Sequence, residues 1–215
     1  MQVKTIGIIG AGKLGVVLAQ LALKAGYQVY ISGSGAVSKI KLIVETLAPE
    51  ATPATTQEVV AKSDVIILAI PLRNFRQLPK EVLVNKLVID ATNYWWEVDG
   101  PREDILKKGQ SSSEAVQEFL QEAKVVKAFN HMGYHDLHDE PRASGAEGRK
   151  AIAIAGDGEK EVATVVALVD SFGFDPLPIG SLQEGWRLEA GQPAFGANVS
   201  KEELGELVFK ANKSV

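Results

Sequence analysis

Three glycines carry the first chemistry that can be read from this chain. They stand in the run Gly10-Ala11-Gly12-Lys13-Leu14-Gly15, after an apolar strand pattern (Thr5 to Ile9) and before a helical one (Val16 to Leu23). Strand, glycine turn and helix together are what the pyrophosphate of a dinucleotide requires. Gly10 permits the tight turn, Gly12 has no side chain to block the phosphates, and Gly15 lets the helix approach the strand. The helix N-terminus adds free N–H groups and partial positive charge. A tight strand-to-helix turn with no ligand is the plain alternative.

The end of the second strand bears on which dinucleotide fits. Gln28 to Ile31 reads as that strand, and Ser32-Gly33-Ser34-Gly35 follows, with no carboxylate until Glu45. An NAD site usually has Asp or Glu here for the ribose 2′-hydroxyl. Small hydroxyls and free amides suit a 2′-phosphate instead, and Lys39 or Lys41 can add charge. NADP is favoured on this ground, against a flexible turn that accepts both cofactors.

Three other segments invite chemistry. Pro71-Leu72-Arg73 can wall a ribose, or Pro71 can merely stop a strand. Asn93-Tyr94-Trp95-Trp96 places two tryptophans in a loop, suited to stacking on a flat ring or to a subunit interface. All three histidines, His131, His135 and His138, fall within eight residues. Their spacing of four and three would share a helical face and a metal. Gly133, Asp136, Asp139 and Pro141 point instead to a solvated loop, with an acid or hydrogen-bonding role for one His as the intermediate reading.

Positioning these groups falls to alternating strands and helices, the pattern of an α/β fold with a doubly wound parallel sheet. Helical patterns are expected over 37–47, 57–62 (with Thr56 as its cap), 113–120 and 160–172, and strands over 64–70, 86–90, 123–128, 151–155 and 175–178. The stretch 139–149 reads as a mobile loop. Ligands of such sheets lie beyond the carboxyl ends of the strands, which picks out the loops 10–15, 71–75, 91–96 and 129–138. The 215 residues suffice for one sizeable core with a small lobe. With 23 Lys and Arg against 27 Asp and Glu there is no basic block, so non-specific nucleic-acid binding has no basis. The absence of cysteine removes disulfides and thiolate chemistry. The apolar run 65–71 is too short to span a bilayer, and the first strand begins almost at once. A cytoplasmic protein with no membrane partner is the expectation.

Taken in order, the glycine run, Asp64-Val65-Ile66-Ile67-Leu68-Ala69-Ile70-Pro71, Lys124-Val125-Val126-Lys127-Ala128-Phe129-Asn130, Ala155-Gly156-Asp157 and Gly185-Trp186-Arg187-Leu188-Glu189 resemble the family of deazaflavin (coenzyme F-420)-dependent NADP oxidoreductases. The cytosolic domain of the animal six-transmembrane metalloreductases is similar too. The resemblance implies a dinucleotide-binding Rossmann domain over 1–130, and a C-terminal α/β extension over 131–215 that continues the sheet and closes the nicotinamide site. It implies hydride exchange between NADPH and a flat acceptor, a deazaflavin or flavin, in which the cofactors carry the chemistry and no catalytic side chain or metal is needed. By matching position, Gly10, Gly12, Lys13, Leu14 and Gly15 would hold the pyrophosphate. Ser32, Ser34 and Lys39 would approach the 2′-phosphate, Ile70 and Pro71 the ribose, and Ala128 and Asn130 the nicotinamide. Many relatives carry Arg directly after the serine that ends strand two; this chain has Gly33. A homodimer is expected from the aromatic loop and the extension. Two alternatives stay open: a reductase of the pyrroline-carboxylate type, which needs a long helical C-terminal domain, and a non-catalytic NADPH sensor.

Overall fold

A computed structural model describes residues 3–210. Its single sheet has eight strands: β1 (Thr5–Ile9), β2 (Gln28–Ser32), β3 (Thr52–Pro53), β4 (Val65–Leu68), β5 (Leu87–Asp90), β6 (Lys124–Lys127), β7 (Ala151–Gly156) and β8 (Asp175–Gly180). The helices are α1 (Lys13–Lys24), α2 (Ser38–Leu47), α3 (Thr56–Lys62), α4 (Trp96–Asp99), α5 (Ser112–Phe119), α6 (Tyr134–Asp139), α7 (Glu159–Ser171) and α8 (Lys201–Lys210). Strand order is β3-β2-β1-β4-β5-β6-β7-β8. The order reverses between β1 and β4, and that switch point opens the crevice in which ligands of such sheets bind.

The expected α/β, doubly wound architecture is the one observed, with one pairing that departs from parallel. β7 runs antiparallel to β6, pairing Lys127 with Ala155, and β8 then runs parallel to β7. The connection from β6 to β7 holds the short α6 and the irregular stretch after it, and the chain returns along β6 from the opposite direction. This brings the start of β7, and the segments that pack on it, above the carboxyl end of β6.

Strand residues alternate between two apolar layers. Ile6, Ile8, Val29, Ile31, Val65 and Ile67 face α1, α2 and α7, whereas Ile9, Ile66, Leu68 and Val88 face α3 and α5. Each such side chain, once buried, contributes about 1.5–3 kcal/mol. A third, smaller cluster joins Ala151 and Ala153 to Leu188, Ala194 and the inner face of α8. Capping boxes set two helix starts: Thr55 with Glu58 for α3, and Ser111 with Glu114 for α5. The cap of α3 is therefore Thr55, one residue before the expected Thr56. α8, a β3 of two residues and the single turn α4 are further elements that the sequence reading did not register.

The polar stretch 139–149 is irregular and mostly exposed, but it is anchored at its end. Arg149 is buried and pairs with Asp170 at 2.8 Å and Asp175 at 2.7 Å, clamping the stretch to α7 and β8. Among the described residues no helix is long and apolar enough to cross a membrane.

Candidate functional site

The three glycines of the fingerprint have different reasons to be glycine. Gly10 has φ +120°, and a Cβ there would stand 2.2 Å from the Ala69 carbonyl oxygen. A Cβ on Gly15 would stand 1.8 Å from the Gly10 carbonyl oxygen. Both positions are closed by the protein's own backbone. Gly12 is different: a Cβ there would meet nothing within 4 Å, and its φ of −81° suits any residue. The fold itself makes no steric demand at this position. Gly12 is also the N-cap of α1, and no side chain caps the helix. Space and unspent amide donors thus converge beside the switch point, the arrangement an anion requires. Leu14 is half-buried against the core. Lys13 is exposed, with its ammonium 3.1 Å from the Tyr134 hydroxyl of α6. Ile70 lies over Gly10, its Cγ2 being 3.2 Å from where a Gly10 Cβ would stand, and Pro71 is exposed at the rim.

At the end of β2, Ser32 is buried and its hydroxyl accepts from Thr56 at 3.2 Å, so it supports the turn from below. Ser34 and Lys39 are exposed, and the Lys39 ammonium lies against the Gly35 Cα, 3.4 Å from where a Cβ would stand. Gly33 cannot readily become the arginine of many relatives, because its Cβ would meet Ile40 Cγ2 at 2.4 Å. Lys39 is then the cation beside this turn, whereas Lys41 pairs with Glu45 along α2 at 3.7 Å. Lys39→Ala should weaken NADPH binding roughly fivefold, the scale of an exposed ion pair, and flatten its salt dependence. NADH binding should not change; isothermal titration of both nucleotides at two salt concentrations checks this.

Across the crevice, the ends of β5 and β6 carry a polar network that the sequence reading missed. Asp90 and Lys127 are fully buried and paired at 3.2 Å. The Lys127 ammonium also donates to the Thr92 carbonyl at 2.6 Å and to Ser112 Oγ at 3.1 Å. Asp90 accepts from Ser113 Oγ at 2.6 Å and from the Thr92 N–H at 2.9 Å. Each charge is thus met by neutral partners as well as by its counter-ion, which is what permits burial. The only sequence signal was a lysine and an aspartate closing adjacent apolar strands.

This network holds the Thr92–Asn93 turn, and Asn93 in turn grips Asn130. Asn130 Nδ2 donates to Asn93 Oδ1 at 2.9 Å and to the Leu188 carbonyl at 2.8 Å, and Asn93 Nδ2 donates to the Asn130 carbonyl at 2.7 Å. Between β6 and Asn130 the chain turns through Phe129, whose φ is +65°. A non-glycine residue in that region is strained and is held only by its surroundings, here the ring of Phe172 at 5.5 Å. Ala128 is fully buried below. Two buried polar atoms of this group, Thr92 Oγ1 and Asn130 Oδ1, have no hydrogen-bond partner among the described residues. Unmet polar atoms of this kind are uncommon in native interiors and suggest a ligand or water.

The histidine segment is not the solvated loop expected from its Gly, Asp and Pro content. Residues 134–139 form α6, whose Leu137 is buried and packs in the main core. Core burial of Leu137 outweighs the weak helix formers. His135 and His138 are exposed on this helix, His138 beside Asp139 at 2.7 Å. His131 is buried, and its Nε2 accepts the Ala153 N–H at 3.1 Å, so the ring is neutral. The three are not brought together, and no group of three or more His, Asp or Glu able to hold a metal occurs among the described residues. Burial pushes the His131 pKa down to about 4, opposed in part by the Ala194 backbone. The unfolded chain takes up this proton near pH 6.5 and the folded chain does not. Stability is therefore full above pH 6.5 and falls as pH drops towards 4, by about 3 kcal/mol from this residue. Urea melts between pH 7 and 4 should show this loss, and His131→Asn should reduce the slope.

These features define a Rossmann fold with an open glycine turn at its switch point. Residues 5–94, from β1 to the aromatic loop, match the family described as NADP oxidoreductase, coenzyme F420-dependent. Over 189 residues the chain is 28% identical to the metalloreductase STEAP3 of Rattus norvegicus, covering 86% of this chain and 36% of that protein. The chain thus spans little more than a third of the length of the curated relatives it matches. Among solved structures it is similar to SMa0349, a protein of Sinorhizobium meliloti, with 27% identity and a TM-score of 0.80 over 92% of this chain and 96% of that one. It shares its fold with a provisionally named F420-dependent NADP-reductase of Arthrobacter sp. FB24, with a TM-score of 0.71 and 22% identity over 86% and 88% of the two chains. The resemblance seen in the motifs is therefore found by comparison over residues 5–94.

Proposed function

We propose that this protein binds NADPH across the crevice and exchanges hydride with a flat redox ring, a deazaflavin or flavin, held against the nicotinamide. The observation that carries the proposal is the open space at Gly12, above the uncapped N-terminus of α1. A glycine that its own fold does not need fits a ligand that cannot tolerate a side chain there. The unmet Thr92 Oγ1 and Asn130 Oδ1 support the other end of the site, since a carboxamide could supply a donor to them.

On this reading Gly10, Gly12, Lys13, Leu14 and Gly15 surround the pyrophosphate, and Ser34 and Lys39 receive the 2′-phosphate while Ser32 supports their turn. Ile70 and Pro71 line the ribose. Asn130 orients the nicotinamide carboxamide, and Ala128 underlies the ring. The nicotinamide, when bound, supplies the hydride. The chain's residues hold the donor and acceptor carbons at the roughly 3–3.5 Å that transfer requires, and they exclude water from the stack. No side chain has to gain or lose a proton for this exchange. The turn 191–198 closes the far side, with the Gly196 N–H bound to the His131 carbonyl at 2.6 Å.

The test is the loss of reduced-nicotinamide absorbance when coenzyme F420, FMN, FAD or riboflavin is offered separately, beside the affinities for NADPH and NADH. Turnover with one ring establishes the reductase and its acceptor class. Tight NADPH binding without turnover by any ring overturns it in favour of a non-catalytic sensor.

A further inference from the structure

Trp95 stands one step from the Asn93–Asn130 pair, on the rim of the proposed nicotinamide site. Its backbone N–H donates to the buried Asp99 carboxylate at 2.7 Å, and the other oxygen of Asp99 accepts the Arg73 N–H at 2.9 Å. One carboxylate thus fixes both the aromatic loop after β5 and the turn after β4. The indole stacks on Phe195, with ring centroids 6.1 Å apart and planes 28° from parallel. Phe195 belongs to the same turn whose Gly196 N–H holds the His131 carbonyl, next to Asn130. The stack therefore bridges the two sides of the crevice mouth. Although one side is covered by Phe195, Trp95 remains 46% exposed. Arg73 lies on this rim, its guanidinium donating to the Val98 carbonyl at 3.1 Å.

We propose that the exposed side of the Trp95–Phe195 stack is the platform on which the acceptor's fused ring lies, with Arg73 nearby for an anionic tail. This rests on the hydride-transfer reading above and names the acceptor subsite within it. An anchored indole with one open face is suited to a flat, extended π system, because stacking there costs little conformational entropy. Trp96 is more exposed, at 60%, but has no ring partner among the described aromatic contacts, so it is not assigned to the platform.

Two readouts test the subsite, the first of them independent of turnover. The first is the quenching of oxidised F420 and FMN fluorescence by the full chain, without NADPH, which reports stacking directly. Trp95→Ala should raise the dissociation constant about tenfold, Trp95→Phe should restore most of it, and Trp96→Ala should stay within about twofold. The second is steady-state turnover, where Trp95→Ala should raise KM for the ring about tenfold and leave NADPH affinity unchanged. Turnover that is indifferent to Trp95 sinks the platform while the reductase reading stands. Quenching that depends on Trp95, with no turnover by wild type, keeps the platform and sinks the reductase. A change in sedimentation of Trp95→Ala from dimer to monomer, with ring binding intact, would assign the rim to a contact between copies and overturn the platform.

Discussion

Gly12→Asp should abolish dinucleotide binding and leave the protein as stable as before, or slightly more so. The residue has extended backbone angles, caps α1 without a side-chain bond, and faces empty space. Aspartate is among the best N-cap residues, so its carboxylate should accept the free amides of the first turn and contribute up to about 1 kcal/mol. The same carboxylate would occupy the place of the pyrophosphate and repel it. A loss of about 3 kcal/mol or more, roughly a hundredfold in Kd, is expected by calorimetry, with an unchanged or higher Tm. Gly15→Ala should behave in the opposite way. Its methyl group would collide with the Gly10 carbonyl, so a destabilisation of about 3 kcal/mol is expected whether or not nucleotide is present. If Gly12→Asp retained NADPH affinity, the cradle would not be a cradle.

Lys127→Met should be the most destabilising of the conservative-volume substitutions near the site. It leaves the Asp90 carboxylate fully buried without its counter-ion, although Ser113 and the Thr92 N–H still donate to it. Breaking a buried pair from one side costs about 3–5 kcal/mol, which for a chain of this size lowers Tm by about 10 °C. Asp90→Leu should cost a similar amount by stranding the ammonium. The double substitution should cost clearly less than the two together, because it removes both charges from the interior, and the cycle measures their coupling. Loss of the bond to the Thr92 carbonyl should also loosen the Thr92–Asn93 turn, and with it Asn130. Nicotinamide-side contacts should therefore weaken more than pyrophosphate contacts, seen as a larger affinity loss for NADPH than for the fragment 2′-phospho-ADP-ribose. Additive single costs would mean that the pair is not coupled as described.

Much of the region from β1 to the end of β2 was legible because its signals are local. The strand alternation, the glycine spacing and the serine-rich end of β2 are short-range patterns, and each marks a position where backbone geometry or charge dictates the residue. Gly33 shows the limit of such reading. Its lack of an arginine looked like a question of cofactor charge, yet Ile40 Cγ2 already fills the space a side chain would need. The cap of α3 is Thr55 and not the expected Thr56, because only Thr55 has a glutamate three residues on, a spacing that the sequence itself carries.

The sequence by itself determined the α/β class, the loops at the carboxyl ends of the strands and the absence of cysteine chemistry, since periodicity and composition are properties of neighbouring residues. Tertiary structure decided what depends on partners distant in the chain. Lys127 became a buried cation only because β6 lies beside β5 and because Ser112 caps it from α5. His131 lost its solvent only because antiparallel β7 returns over it and offers the Ala153 N–H. Trp95 acquired a stacking partner one hundred residues away in Phe195. In each case the free energy of a side chain is set by what surrounds it, and a sequence does not state its surroundings.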